Sequence, residues 1–196
     1  SPPGCAMGSL KLECPKVSPL SKRLCFLQHI VALSAAKTLE KVNEEKLGKS
    51  KIGLKWPNDI IYKDGNKKIG GILVFSNDSK DKYDVTLSFG LNVFNEKPTT
   101  CVNQILTGDP GFRSPGLSIE SLVADMMNFL EEFTLNMTDE KFNQIKQDYE
   151  QRCLQINQIV NDETNGPVKV IGVNDDGYLI GLSSSTQKIC TVTKIL

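Results

Sequence analysis

Apolar residues change period several times along the chain, and each change marks an element. Leu20, Leu24, Leu27, Val31, Ala35 and Val42 recur at spacings of three, four and seven, which draws one stripe along a long helix. Ser18-Pro19 ahead of it supplies an N-cap and a proline for the first helical position. His29 falls off the stripe beside Gln28 and is expected as a partly exposed helix residue. From Tyr83 the period drops to two: Tyr83, Val85, Leu87 and Phe89 alternate with Asp84, Thr86, Ser88 and Gly90, as in a half-buried antiparallel strand. The helical period returns with Leu122, Met126, Phe129, Leu130 and Phe133, in a helix capped by Ser118. A third helix opens at Thr138 and turns Phe142, Ile145, Tyr149 and Cys153 inward.

Shorter apolar runs read as strands. One lies at residues 5–12, with Met7, Leu10 and Leu12; another runs from Ile52 to Trp56. Ile60-Ile61-Tyr62 and Lys68 to Phe75 flank Asp64-Gly65-Asn66, a hairpin turn. Residues 76–82 are polar and suit an exposed hairpin end. Residues 94–117, broken by Pro98, Pro110, Pro115 and several glycines, read as a long loop of the kind that often serves function. Composition shifts to Asn, Asp, Glu, Thr and Gly around 157–167, a candidate linker. Three strands follow, at Val168–Val173, Tyr178–Leu182 and Ile189–Leu196, as a small all-β module that is marginal by itself and needs docking or more chain.

Composition narrows the function classes. Lys+Arg and Asp+Glu both number 23 in 196 residues, so no net charge argues for nucleic acid or an acidic membrane surface. The hydrophobic fraction of 39% suits a soluble globular protein with a core, and no run reaches the ~20 apolar residues of a membrane span. The first residues do not have the charged-then-apolar pattern of a signal peptide. Six scattered cysteines without C-x-x-C, and a single histidine, argue against zinc and for reduced thiols in a cytosol-like compartment.

Chemistry concentrates in residues 54–75. Trp56-Pro57-Asn58-Asp59 interrupts two apolar runs, and Pro57 restricts both itself and Trp56, so Asn58 and Asp59 hold a defined place. About one hairpin later, Lys68 precedes Gly70-Gly71, a glycine pair inside a strand that signals close approach by a ligand or by another backbone. An amide, a carboxylate, a lysine and bare backbone thus meet at the ends of two adjacent strands.

This stretch resembles the signature of biotin–protein ligases, roughly [VL]-K-W-P-N-D followed by K-[IL]-[AG]-G-[IV]-L-[VI]. The resemblance extends to Ser1-Pro2-Pro3-Gly4-Cys5-Ala6, Phe26-Leu27-Gln28-His29, Gly90-Leu91-Asn92-Val93, Asn95 to Cys101, and Gly166-Pro167 through Tyr178-Leu179. The flanking pieces look most like the eukaryotic branch, the holocarboxylase synthetases. The resemblance implies an α+β fold: a mixed β-sheet with helices packed on one side, similar to the class II synthetase-like ligase catalytic domain, over residues 1–156. A small SH3-like β module would occupy 157–196. It also implies a two-step reaction, in which biotin and ATP form biotinyl-AMP with magnesium, and a lysine of a carboxylase biotin-carrier domain then takes the biotin.

On that resemblance Lys68 and Asp59 are the catalytic candidates, Lys68 contacting the biotin carboxylate and the activated phosphate. Asn58 would stand near the nucleotide. Gly70 and Gly71 would let backbone lie along biotin's tail, with Leu73 as apolar wall, and Asn92 would meet the adenine end. Trp56 supports the site from the core. Ser88-Phe89 stands where the family often has small residues, so the biotin wall is expected to differ here. Magnesium would come with ATP rather than in a protein cage, and no nucleic acid or membrane partner is implied. The family's G-R-G-R-x-G-x-x-W loop would precede Ser1, and its H-P-D-G-N-S-F-D segment would follow near Thr191–Leu196. Neither is in these 196 residues, so a fragment with little activity of its own is expected. Two other readings remain: a ligase relic acting as a binding protein, and a lipoyl or octanoyl ligase of the same fold. The implied location is cytoplasmic and also mitochondrial.

Overall fold

A computed structural model describes the chain except Ser1, Glu96, Pro98 and Pro110. Those residues belong to the motif segments at 1–6 and 95–101 and to the broken stretch 94–117, and these parts of the sequence reading lie outside the described residues. The first sheet holds five strands in the order β1-β5-β4-β3-β2: β1 is Cys5–Pro15, β2 Ile52–Lys55, β3 Asp59–Tyr62, β4 Lys67–Asp78 and β5 Lys82–Asn92. Every pairing among them is antiparallel, which corrects the expected mixed sheet. The cause is local: β2 to β5 are consecutive and joined by loops too short for a parallel crossover. The β3–β4 turn places Gly65 and Asn66 at φ 84° and 51°, the left-handed region that Asp-Gly-Asn supplies.

The stripe read from Leu20 to Val42 folds as two pieces. Ser18 caps a 3-10 helix, Pro19–Phe26, by accepting from the Ser21 N–H, and the α-helix proper, α1, is Leu27–Val42. Most of α1 is buried, because it packs on the sheet with one side and against α4 (Ile119–Thr134) and α5 (Asp139–Glu150) with others. Leu27, Ile30, Leu33 and Leu39 are all 0% exposed, each such burial stabilising by ~1.5–3 kcal/mol. The hydroxyls of Ser34 and Thr38, equally buried, donate back to the Ile30 and Ser34 carbonyls. Ser118 and Thr138 cap α4 and α5 as read. Residues 94–117 are not all loop: they hold a short helix, α3 (Val102–Thr107), with Cys101 at its N-cap position, which packs against α2 (Glu44–Leu47). Among the described residues no helix is long and apolar enough to cross a membrane.

The second sheet has four antiparallel strands rather than three: β6 (Ile159–Asp162), β7 (Gly166–Val173), β8 (Leu179–Ser183) and β9 (Ile189–Val192). The polar stretch read as a linker supplies β6. Past β9 the chain returns to β6, with Glu163 N–H donating to the Lys194 carbonyl at 3.0 Å and Leu196 N–H to the Asn161 carbonyl at 2.9 Å. Asp162, 1% exposed, holds this closure. One of its oxygens accepts from the Thr193 and Lys194 N–H groups, the other from the Thr164 and Asn165 N–H groups and the Asn165 amide. Burial opposes the charge, but the donors around it outweigh that and hold the carboxyl below its ordinary range.

Candidate functional site

A pocket of about 450 Å³ opens on the sheet face that the helices leave uncovered. Its floor comes from three strands in register: Met7, Gly90 and Gly71 form one cross-strand row, and Ser9, Ser88 and Leu73 form the next. Leu73 is 50% exposed and Met7 62%, an apolar wall facing outward. Ser9 and Ser88 join hydroxyls across the row at 2.8 Å. Lys68 and Asn58 border the pocket at one end.

Lys68 reaches that face through a β-bulge. Ile60 pairs with Gly70 but Ile61 pairs with Lys68, so Ile69 is the extra residue. Were the strand regular through Ile69, Lys68 would share the core side with Gly70 and Ile72. With the bulge, the lysine lies beside Gly71, where an added Cβ would meet Lys68 Cε and Nζ at 3.5 Å. Its ammonium pairs with Asp59 Oδ1 at 2.5 Å, and Asp59 sits directly across from Gly71. The Thr99 hydroxyl donates to the Lys68 carbonyl. Lys68 is 52% exposed and Asp59 23%, so the pair faces the pocket mouth and is open to exchange partners.

The other predicted residues divide. Asn58 borders the pocket, and its carbonyl accepts from the Ile72 N–H at 2.9 Å. Gly71 lines the pocket, whereas Gly70 turns to the core: a Cβ there would stand 2.6 Å from Leu91 Cδ2 and 2.8 Å from the Gly90 carbonyl. The structure thus corrects Gly70 from ligand contact to strand-on-strand packing. Asn92 is half-buried, and its side-chain oxygen accepts from Asn95 at 2.9 Å, which ties down the loop after β5. Phe89 lines the pocket beside Ser88, and its ring occupies the space a side chain at Gly8 would need, with Cζ 2.7 Å from that position. Trp56, 9% exposed, stands behind the site, its indole N–H donating to the Gly177 carbonyl at 2.8 Å.

His29 shares that carbonyl acceptor, through Nε2 at 2.8 Å. It is 3% exposed, not the partly exposed residue its place off the stripe predicts, because the 175–178 turn of the second sheet covers it. Phe26 and Tyr149 pack on its ring at 4.9 and 4.5 Å between centroids. Burial pushes its pKa down to about 4, with the Gly177 carbonyl opposing weakly, so the ring is neutral and Nε2 carries the proton.

Comparison with known proteins bears on this geometry directly. A model of the Biotin/lipoate A/B protein ligase family matches residues 1–92, the span that holds β1–β5 and the whole pocket floor. The match takes in just under half of the 196 residues. The chain is 30% identical over 184 residues to a biotin–protein ligase of Homo sapiens, which takes in 91% of this chain and 25% of that protein. It is 31% identical over 197 residues to the chloroplastic biotin–protein ligase 1 of Arabidopsis thaliana, 95% of this chain and 51% of that one. The chain therefore spans about half or less of the length of these curated relatives. The biotin protein ligase of Aquifex aeolicus, solved in complex with biotin and ATP, superposes with a TM-score of 0.67 at 21% identity, over 97% of this chain and 76% of its own. That likeness shows the fold, a ligase-like α+β architecture with antiparallel sheets.

Proposed function

We propose that the pocket is the adenylation site of a biotin–protein ligase, which activates biotin with ATP and transfers it to a lysine of a carboxylase biotin-carrier domain. The observation that carries this is Lys68, turned by the Ile69 bulge onto an open apolar pocket and held beside Asp59. Activation builds negative charge on a carboxylate and a phosphate together, and a lysine at the pocket mouth can release Asp59 to meet it. Leu73, Met7 and bare Gly71 suit biotin's aliphatic tail. Asn58 and Asp59 stand on the nucleotide side of Lys68, and Asn92, next to the same sheet end, orders the loop there. Magnesium enters this reading on the phosphates of ATP.

Residues 1–156 are read as the catalytic domain and 157–196 as the SH3-like module, supported by the closure of β6 onto the chain after β9. Six free cysteines agree with a reducing, cytoplasmic or mitochondrial compartment. The test uses the full natural chain with biotin, labelled ATP, magnesium and an isolated biotin-carrier domain. Labelled biotinyl-AMP and a biotinylated carrier are expected, and Lys68→Met should lower adenylate formation by about 100-fold or more with the thermal midpoint unchanged. A folded Lys68→Met that forms adenylate at the normal rate refutes the assignment.

A further inference from the structure

Of the four residues Trp56 to Asp59, the last two are tied to β4, through the Ile72 N–H on the Asn58 carbonyl and the pairing of Asp59 with Gly71; Trp56, where the stretch begins, is held from far along the chain. After α5, residues 152–155 run beside the outer edge of β2. Leu54 N–H donates to the Arg152 carbonyl at 2.8 Å and Leu154 N–H to the Leu54 carbonyl at 2.9 Å, a single parallel rung. One residue further the backbone turns away, and the side chain of Gln155 continues the rung in its place. Its Oε1 accepts from the Trp56 N–H at 3.1 Å and its Nε2 donates to the Trp56 carbonyl at 3.2 Å. A backbone N–H can only donate and a carbonyl only accept, so the amide has one permitted orientation. The Cys153 thiol, 3.5 Å away, donates to the same Oε1 and locks it. Gln155 is 7% exposed and stands outside the Lys68 pocket, lining a neighbouring cleft with Lys55, Trp56, Pro57 and Asp59. From the other side, Gln28 Nε2 donates to the Pro57 carbonyl at 2.9 Å.

We propose that Gln155 is a positioning residue for the adenylation site: by binding both backbone groups of Trp56 it sets where Asn58 and Asp59 stand beside Lys68. This rests on the ligase reading of the pocket. Asn58 and Asp59 follow Trp56 by two and three residues and are held on their far side by β4, so Trp56 is the near anchor whose displacement strains their placement, while Met7, Leu73 and Ser88 sit on other strands and stay. Chemistry is steep in such displacements, ~1 Å being enough for ~100-fold.

The split between rate and affinity therefore tests it. In the full natural chain, Gln155→Leu should lower the maximal rate of biotinyl-AMP formation by about tenfold or more, with the KM for biotin within about threefold of the parent. Met126→Ala, a core change on the buried face of α4, serves as a control that lowers the thermal midpoint without touching the rate at a temperature where both are folded. A Gln155→Leu rate within twofold of the parent overturns the proposal, and so does a loss confined to KM. If Gln155→Leu does not fold, Gln155→Glu keeps the acceptor for the Trp56 N–H but sets an oxygen against the Trp56 carbonyl, and carries the same expectation. Trp56 is the only tryptophan of the 196 residues, so acrylamide quenching reads the clamp without any chemistry. Quenching should rise in either variant. A parent chain that makes no adenylate refutes the ligase reading instead, and quenching then decides the clamp alone: unchanged accessibility of Trp56 overturns it.

Discussion

Acid should weaken this protein through one residue in a defined pH window. His29 has a pKa of about 4 in the folded chain against an ordinary 6.5, because Phe26, Tyr149 and the Gly177 turn enclose the ring. Between those two values the unfolded chain binds a proton that the folded chain refuses. Stability is therefore fully present above pH 6.5, falls as the pH drops toward 4, and loses nothing further through His29 below that. Each pH unit inside the window removes up to ~1.4 kcal/mol, about 3 kcal/mol in all, a large share of the ~5–15 kcal/mol of an ordinary domain. Replacing His29 by Gln keeps a donor for the Gly177 carbonyl but leaves nothing to titrate there. Urea unfolding followed by far-UV circular dichroism, at several pH values from 7.5 to 4, gives both stability curves. Carboxylates contribute equally to each, so the parent-minus-variant difference isolates His29 and should shrink by about 3 kcal/mol across the window. A difference that stays flat with pH refutes the reading that His29 is held neutral.

Gly71→Ala should leave the fold intact, since its new methyl only touches Lys68 at 3.5 Å, while weakening biotin binding measured by calorimetry; Gly70→Ala should instead destabilise by about 2 kcal/mol or more, because its methyl meets a backbone carbonyl at 2.8 Å. Equal effects of the two would contradict the division of the glycine pair. At Asp162, Asn should be as harmful as Ala, because its amide nitrogen would face N–H donors; each should cost at least about 2 kcal/mol in chemical denaturation. A neutral Asp162→Asn would mean that the closure onto β6 is held by something else.

How far the sequence exposed this design depends on the distance over which each feature is decided. Ser18, Ser118 and Thr138 announce their helices because a cap is settled within three residues. Asp64-Gly65-Asn66 announces its turn for the same reason. The site stretch was legible as a constellation, but the assignment of its glycines was not, since only the register with β5 tells Gly70 from Gly71. His29 was misplaced because its cover arrives from 148 residues away. Asn161-Asp162 looked like linker, for a polar pair that reads as solvent-facing can equally serve as the acceptor that buried backbone N–H groups require. Gln155 carries no local signal at all; a glutamine after a helix is unremarkable until its partner on the far strand is known.

The extra residue at Ile69 makes the lysine's direction a matter of parity. Along a regular strand, odd and even positions look to opposite sides, and the count from Leu73 back to Lys68 would bring the ammonium into oil. Leaving Ile69 out of the pairing changes the count from odd to even. The chemical group therefore depends on arithmetic as much as on identity. A chain could keep every letter from Lys68 to Leu73, pair its isoleucine regularly with Ile61 instead of bulging it, and arrive with the same wall, the same glycine, and its cation on the wrong side of the protein.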